Sequence, residues 1–229
     1  MSPTKPIILF EDEQLIVCVK PAGIASQSAK SFQPDMTDIL KRHIMKTSAT
    51  KKVPEIYVIH RLDQPVGGIM VYAKTKTAAA ALSKQTAERT MSKCYFAVVH
   101  GTPSENGTLT DFLLKDEKSN SSCVVTEGTP GSKKASLEYK VLASKIIDDT
   151  QLSLVKITLH TGRHHQIRVQ FSHAGHPLVG DQKYSEYTKT TKGITTLGLF
   201  SCSLEFTHPA TKKRMSFEYT PEYEPFSLF

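Results

Sequence analysis

A carboxylate and a guanidinium stand two residues apart in His60-Arg61-Leu62-Asp63. The motif follows the apolar run Ile56-Tyr57-Val58-Ile59 and precedes Gly67-Gly68, so it falls where a strand gives way to a turn. Rigid elements present side chains to ligands at such places. Asp63 has two readings here: a base or nucleophile, or a turn aspartate that hydrogen-bonds its own backbone ahead of Gln64-Pro65. A second polar concentration runs from Thr161 to Arg168, with Arg163, His164, His165 and Gln166 between them. It reads either as the solvated basic face of a helix or as a helix start aimed at an anion, for which Thr161 and Gly162 are suited. Tyr95, after Lys93-Cys94, is by itself a core tyrosine with a satisfied hydroxyl or a ring that faces a site.

Five histidines, at 160, 164, 165, 173 and 176, raise the question of a metal. His160 and His164 are four residues apart, but Gly162 and a strand-to-helix break separate them, and no nearby acidic residue completes a shell. No metal site is expected, and His173 and His176 are read as hydrogen-bonding locally at the helix end. Cys18, Cys94, Cys123 and Cys202 lie far apart without a Cys-x-x-Cys pair, which points to free thiols and away from disulfides or zinc.

The elements that must position these residues are mostly strands. Ile7 to Phe10 and Leu15 to Lys20 read as a hairpin, followed by the turn Pro21-Ala22-Gly23. Further strands are expected at Gly68 to Ala73, Lys93 to His100, Leu152 to Leu159, Leu197 to Phe206 and Met215 to Tyr219. Short strands fill Gly107 to Val141, interrupted by the polar loop Lys115 to Ser122 and the turn Gly128 to Gly131. Helices are expected at Asp38 to Thr47, at the alanine-rich Thr75 to Arg89, and at His164 to Ala174, with Gly175 as the left-handed residue after the last. On the Lys93 strand, alternation places Tyr95, Ala97 and Val99 on one face.

The chain has 229 residues, 39% of them hydrophobic, which is enough for a sizeable core, and no repeat or linker divides it, so a single α+β domain over 1–229 is the simplest arrangement. Lysine and arginine outnumber aspartate and glutamate by 29 to 22, a balance that suits a polyanionic partner better than a neutral metabolite. The pairs Lys51-Lys52 and Lys133-Lys134, with Lys212-Lys213-Arg214, are simplest as solvated surface, although together they have the charge to follow phosphates. Met1 to Pro6 lacks the features of a secretory signal and no apolar run reaches the length of a membrane span, so the expectation is a cytoplasmic protein without membrane contact.

The motifs taken in order resemble the RluA-type RNA pseudouridine synthases. The match runs from about Ile8 to Pro221 through Lys20-Pro21-Ala22-Gly23, His60-Arg61-Leu62-Asp63, Ala73-Lys74-Thr75, Lys93-Cys94-Tyr95, Thr161-Gly162-Arg163 to Gln166-Ile167-Arg168, and Gly175-His176-Pro177 with Gly180-Asp181. The resemblance implies a mixed, largely antiparallel central sheet with flanking helices and loops. It implies Asp63 as the essential carboxylate, Tyr95 over the target base, and Arg168 as the partner of Asp63. Arg61 would enter the RNA stack or touch a phosphate near the extruded nucleotide, and His60, Arg163, His164 and Gln166 would belong to the RNA-binding surface.

The implied reaction isomerises uridine in structured rRNA or tRNA to pseudouridine. The bond from ribose C1′ to N1 breaks, the uracil turns, C1′ joins C5, and the C5 proton leaves. No redox change or group donor enters, so no cofactor is expected. Flipping the uridine out of its stack costs a few kcal/mol, which Arg61 and the basic surface would offset. The alternative is a catalytically inactive RNA-binding protein of the same fold. Many relatives carry an N-terminal S4 domain; only a few residues precede Ile7 here, so the catalytic domain is expected to recognise RNA alone, as a monomer. Two positions depart from the family pattern: Val66-Gly67-Gly68 replaces a threonine-serine-glycine ending, and Ser201-Cys202 replaces a histidine-alanine pair.

Overall fold

The computed structural model describes residues 5–27, 34–47, 53–185 and 193–229. Residues 1–4 and the Lys51-Lys52 pair lie outside the described residues. The chain divides into two compact units, one of Ser2–Lys93 with Ser201–Thr220 and one of Cys94–Phe200 with Pro221–Phe229.

The first unit holds β1 (Ile7–Glu11), β2 (Leu15–Lys20), β3 (Tyr57–Val58), β4 (Gly67–Ala73), β10 (Leu199–Thr207, from Ser201 on) and β11 (Arg214–Glu218). Strand order is β1-β2-β4-β10, with β3 beside β4 and β11 beside β10. Every residue of β2 and β4 is buried, which explains why Leu15-Ile16-Val17-Cys18-Val19 is apolar without alternation. Helices α1 (Met36–Thr47) and α2 (Lys76–Ala87) complete the unit. Thr75 caps α2 by accepting the Ala78 N–H at 3.2 Å, and Ala78 and Leu82, one turn apart, are its buried stripe.

The second unit holds β5 (Ser92–His100, from Cys94 on), β6 (Asn106–Asp116), β7 (Ser121–Val125), β8 (Lys133–Ile147) and β9 (Thr150–Leu159). They form the antiparallel order β5-β9-β8-β6-β7. Sequence reading expected short strands from 107 to 141, whereas β6 runs 11 residues and β8 15. A bulge between Val141 and Ala143 takes up the break in alternation that hid the length of β8. The hairpin then turns on Asp148 and Asp149, both at positive φ (46° and 59°), the conformation of a two-residue type I′ turn.

Helix α3 (Gln166–His173) starts two residues later than its sequence suggests. His165 sits at φ 53° in the left-handed region, so 164–165 form a separate turn ahead of the helix, closed by the Gln166 N–H on the Arg163 carbonyl at 3.2 Å. Gly175 takes the left-handed position after the helix, at φ 82°, as its place in the sequence predicts. His176 bonds locally only through its backbone N–H, on the Phe171 carbonyl at 2.8 Å; its ring reaches away, with Nδ1 3.0 Å from the carbonyl of His100 at the end of β5. α3 lies on the face that carries Tyr139, whose ring meets Phe171 edge-on at 5.2 Å, and Val169 packs with Leu113 and Ala135. The fold is thus α+β with largely antiparallel sheet and few helices, as expected. Among the described residues no helix is long and apolar enough to cross a membrane.

Gly68, the second residue of β4, sits at φ +131°, and a Cβ there would lie 2.4 Å from the backbone nitrogen of Ser201 on β10. Gly23 is also left-handed, at φ +88°, but a Cβ would meet nothing within 4 Å. Gly23→Ala is therefore expected to cost about 1–2 kcal/mol of backbone strain, and Gly68→Ala about 3 kcal/mol or more, because strand backbone must also move. Urea unfolding of both variants measures the difference; equal losses would show that close approach is not what Gly68 supplies.

Candidate active site

The Asp63 segment is irregular backbone, and buried polar groups of the first unit hold it. Lys20 ends β2 with no exposed surface, a rare state for lysine. Its Nζ donates to the carbonyls of Pro21 (3.0 Å), Ile24 (2.5 Å) and Gln64 (3.2 Å). The last of these is the peptide next to Asp63. Burial pushes the Lys20 ammonium down to about 7, while the Asp63 carboxylate, the nearest opposing influence, pulls it back up. Lys20 therefore braces the loop that carries Asp63 and is electrostatically coupled to its carboxylate.

Three further contacts fix the same segment. The Ser26 hydroxyl donates to the Leu62 carbonyl (2.7 Å) and accepts the Leu62 N–H (3.0 Å). Gly23 N–H donates to the Gln64 carbonyl (2.8 Å), and the Gln64 amide returns a bond to the Gly23 carbonyl (3.0 Å). The Asp63 carbonyl takes the Val66 N–H (3.0 Å), closing the turn at Gln64-Pro65. His60 is buried, and its Nε2 accepts the Val71 N–H of β4 at 3.3 Å, which requires a neutral ring there. Burial, helped by the charge of Lys93, pushes His60 down to about 3. Arg61 is exposed and Asp63 half-buried, so the loop presents these two while His60 and Leu62 anchor it.

In the second unit Tyr95 is buried on β5 and stands opposite Ile157, which stands opposite Tyr139 in turn. Direct partners share a face, so Tyr95 lies on the α3 side of its sheet. Arg168 projects from α3 and is buried with Asp181: Nε donates to Oδ2 at 2.7 Å and Nη2 to Oδ1 at 2.8 Å. Burial raises the Asp181 carboxyl, and the Arg168 hydrogen bonds and charge more than offset it, leaving it below the ordinary range.

Gln166 is buried and spends its amide on the framework. Its oxygen accepts from the Thr161 hydroxyl (2.8 Å) and the Arg163 N–H (3.0 Å), and its nitrogen donates to the Ser136 carbonyl (3.1 Å) and to Gln170 (3.0 Å). Thr161 thus serves Gln166, not an anion. Arg163 is half-buried, with Nε on the Lys134 carbonyl (3.0 Å), and His164 meets the Ser122 hydroxyl (2.9 Å) while stacking on His165 at 3.8 Å. Sequence reading named neither Asp181 as a partner of Arg168 nor Lys20 and Ser26 as supports. A lysine closing an otherwise apolar strand before Pro-Ala-Gly was the available signal for Lys20; nothing in composition marks Ser26. Among the described residues no group of three or more His, Cys, Asp or Glu is arranged to hold a metal ion.

Residues 14–173 match the family model described as RNA pseudouridylate synthase, and the chain belongs to that family. It is 34% identical over 206 residues to the uncharacterized RNA pseudouridine synthase YhcT of Bacillus subtilis, covering 89% of this chain and 65% of that protein. It is 31% identical to ribosomal large subunit pseudouridine synthase D of Zymomonas mobilis (92% and 68% covered) and 34% to ribosomal large subunit pseudouridine synthase C of Pasteurella multocida (89% and 61%). The chain thus spans about two thirds of the length of the curated relatives it matches. The structure of human RNA pseudouridylate synthase domain containing 1 shares the fold, with TM-score 0.78 at 22% identity over 98% of this chain and 88% of that one.

Two outcomes test the framework of the loop. Lys20→Met strips three carbonyls, one buried and two part-buried, of a donor and is expected to cost about 3 kcal/mol in chemical unfolding; an unchanged midpoint would mean other donors serve them. For His60 the folded pKa of about 3 lies below the ordinary 6.5, so between those values the unfolded chain binds a proton that the folded chain does not. Stability should fall as pH drops from 6.5 toward 3, and less steeply in His60→Gln. Parallel declines in unfolding free energy across that window would contradict this.

Proposed function

We propose that the chain is an RNA pseudouridine synthase that isomerises uridine in structured RNA, with rRNA or tRNA as the substrate class. The observation that carries this is a half-exposed carboxylate, Asp63, on a loop whose backbone is bonded by Lys20, Ser26 and Gly23, in a chain of this family. A nucleophile or base must hold its geometry while a sugar–base bond breaks, and a loop fixed at Leu62 and Gln64 leaves Asp63 little freedom between them. Either role suits a carboxylate: attack on C1′, or removal of a ribose proton to give a glycal.

Tyr95 is assigned to the uracil, as a stacking ring that also acts as or positions the final base for C5, and Arg168 to the counter-charge for Asp63. Both roles rest on the family resemblance. Arg61, exposed beside Asp63, is assigned to the RNA stack or a phosphate, and Arg163 and His164 to the RNA surface. His60 and Gln166 contribute by holding the segments that carry these groups. The names of the curated relatives favour large-subunit rRNA among structured targets, and the net charge of +7 suits any of them.

Tritium release from RNA labelled at uridine C5 tests the reading. Wild type should release label while Asp63→Asn, folded and RNA-bound, loses about 1,000-fold or more in turnover; substantial residual product from that variant removes Asp63 from its role. RNA binding without any release by wild type would identify the inactive binding protein instead. Tyr95→Phe should bind RNA normally and turn over severely slowed, and normal turnover would reduce Tyr95 to a stacking platform.

A further inference from the structure

Arg168 is gripped by more than Asp181. Its guanidinium carbon lies 5.0 Å from the ring centroid of Tyr184, within cation–π range, so the carboxylate takes two donors while an aromatic ring lies against the same group. Asp181 and Tyr184 are one turn of chain, and Asp181 Oδ1 also accepts the N–H groups of Lys183 (2.9 Å) and Tyr184 (3.1 Å), so both halves of the grip share one backbone.

The ring itself is fixed from outside that turn. Ser122 on β7 donates its N–H to the Tyr184 hydroxyl at 2.8 Å, which leaves the hydroxyl proton for Nδ1 of His165 at 2.6 Å. Burial first, then the charge of Arg168, pushes His165 down to about 3, so it remains an acceptor at neutral pH. The Ser172 hydroxyl of α3 bonds the Tyr184 carbonyl at 2.5 Å, and Lys183 Nζ bonds the carbonyls of Ser119 and Asn120 at the β6–β7 turn (3.0 and 2.9 Å). A buried ion pair is weak evidence for stability, since apolar replacements often do as well. Here two bonds hold the hydroxyl of the ring and three more hold the turn that carries it, with the Arg168 guanidinium against the ring face.

We propose that Tyr184 is a positioning residue for the reaction: clamped by the β6–β7 hairpin and α3, its ring holds the Arg168 guanidinium in the orientation that Asp181 sets. The inference rests on the reading of Arg168 as part of the reacting site. Steady-state tritium release from C5-labelled RNA, with wild type as reference, tests it. Tyr184→Leu removes the π face and should lower kcat roughly ten- to thirtyfold, the worth of a desolvated cation–π contact, with KM for RNA within about twofold. Tyr184→Phe keeps the ring and should restore kcat to within about threefold of wild type. If Tyr184→Leu lowers the unfolding midpoint, Tyr184→Met refills the volume without a π face and should show the same kcat loss. The Arg168 Nε–H resonance gives a second readout without turnover: slow exchange with solvent in wild type and Tyr184→Phe, fast exchange in Tyr184→Leu. Unchanged kcat in the ringless variants, or a loss confined to KM, overturns the proposal while leaving an active wild type and its functional reading intact. A wild type without tritium release fails at the earlier step and takes the reading down with it.

Discussion

A lysine ammonium removed from water loses hydration worth several kcal/mol, and only well-placed acceptors return it. Lys20 finds three, all of them backbone carbonyls, and they come from the turn that follows β2 and from the Asp63 loop. The requirement runs both ways. The lysine cannot stay buried unless both segments keep their shape, and neither segment has a sheet ladder to hold that shape otherwise. Charge, loop geometry and the end of β2 are consequently one cooperative feature, in which the Asp63 carboxylate favours the charged form of the lysine.

The second unit solves the same problem with side-chain amides that end on a carboxylate. The stretch 161–165 has no regular hydrogen bonding of its own, and Gln166 supplies it by accepting from Thr161 and Arg163 and donating to β8. The amide continues to Gln170, which donates to Asp111 on β6 at 2.7 Å, so a polar chain ties helix, lead-in and sheet together beneath the apolar contacts of Val169 and Phe171. Such a chain leaves few conformations open to Arg168, which lies between Gln166 and Gln170 on α3. Stability and site geometry are separable here: the apolar face docks the helix, and the polar chain sets its rotation.

What the sequence made legible follows from what pattern can encode. Leu15 to Lys20 and Gly68 to Ala73 read as strands because uninterrupted apolar runs admit few other fates at that length, and the alanine-rich stretch from Thr75 announced α2, while its Thr75 cap emerged only in the structure. The start of α3 misled because His165 adopts a left-handed backbone that a histidine seldom takes, a choice imposed by tertiary contacts of its ring and invisible in local propensity. The length of β8 was hidden by a bulge that breaks period two without ending the strand. Asp63, Arg61 and Tyr95 were found as residue types in a recognisable order. Their supports were not, since Ser26 and Leu62 are 36 residues apart and Lys20 and Gln64 are 44.

The glycine that follows Val66-Gly67 and the strand residue Ser201 are distant in sequence yet meet in space. Gly68 abuts the backbone of Ser201, and the Ser201 hydroxyl bonds the Ile69 carbonyl at 3.3 Å, just past Val66-Gly67. A change in bulk at either position is felt at the other. In this chain the glycine after the aspartate loop and the strand residue that faces it therefore form one packing unit, and a side chain added at Gly68 has to be accommodated by the backbone at Ser201.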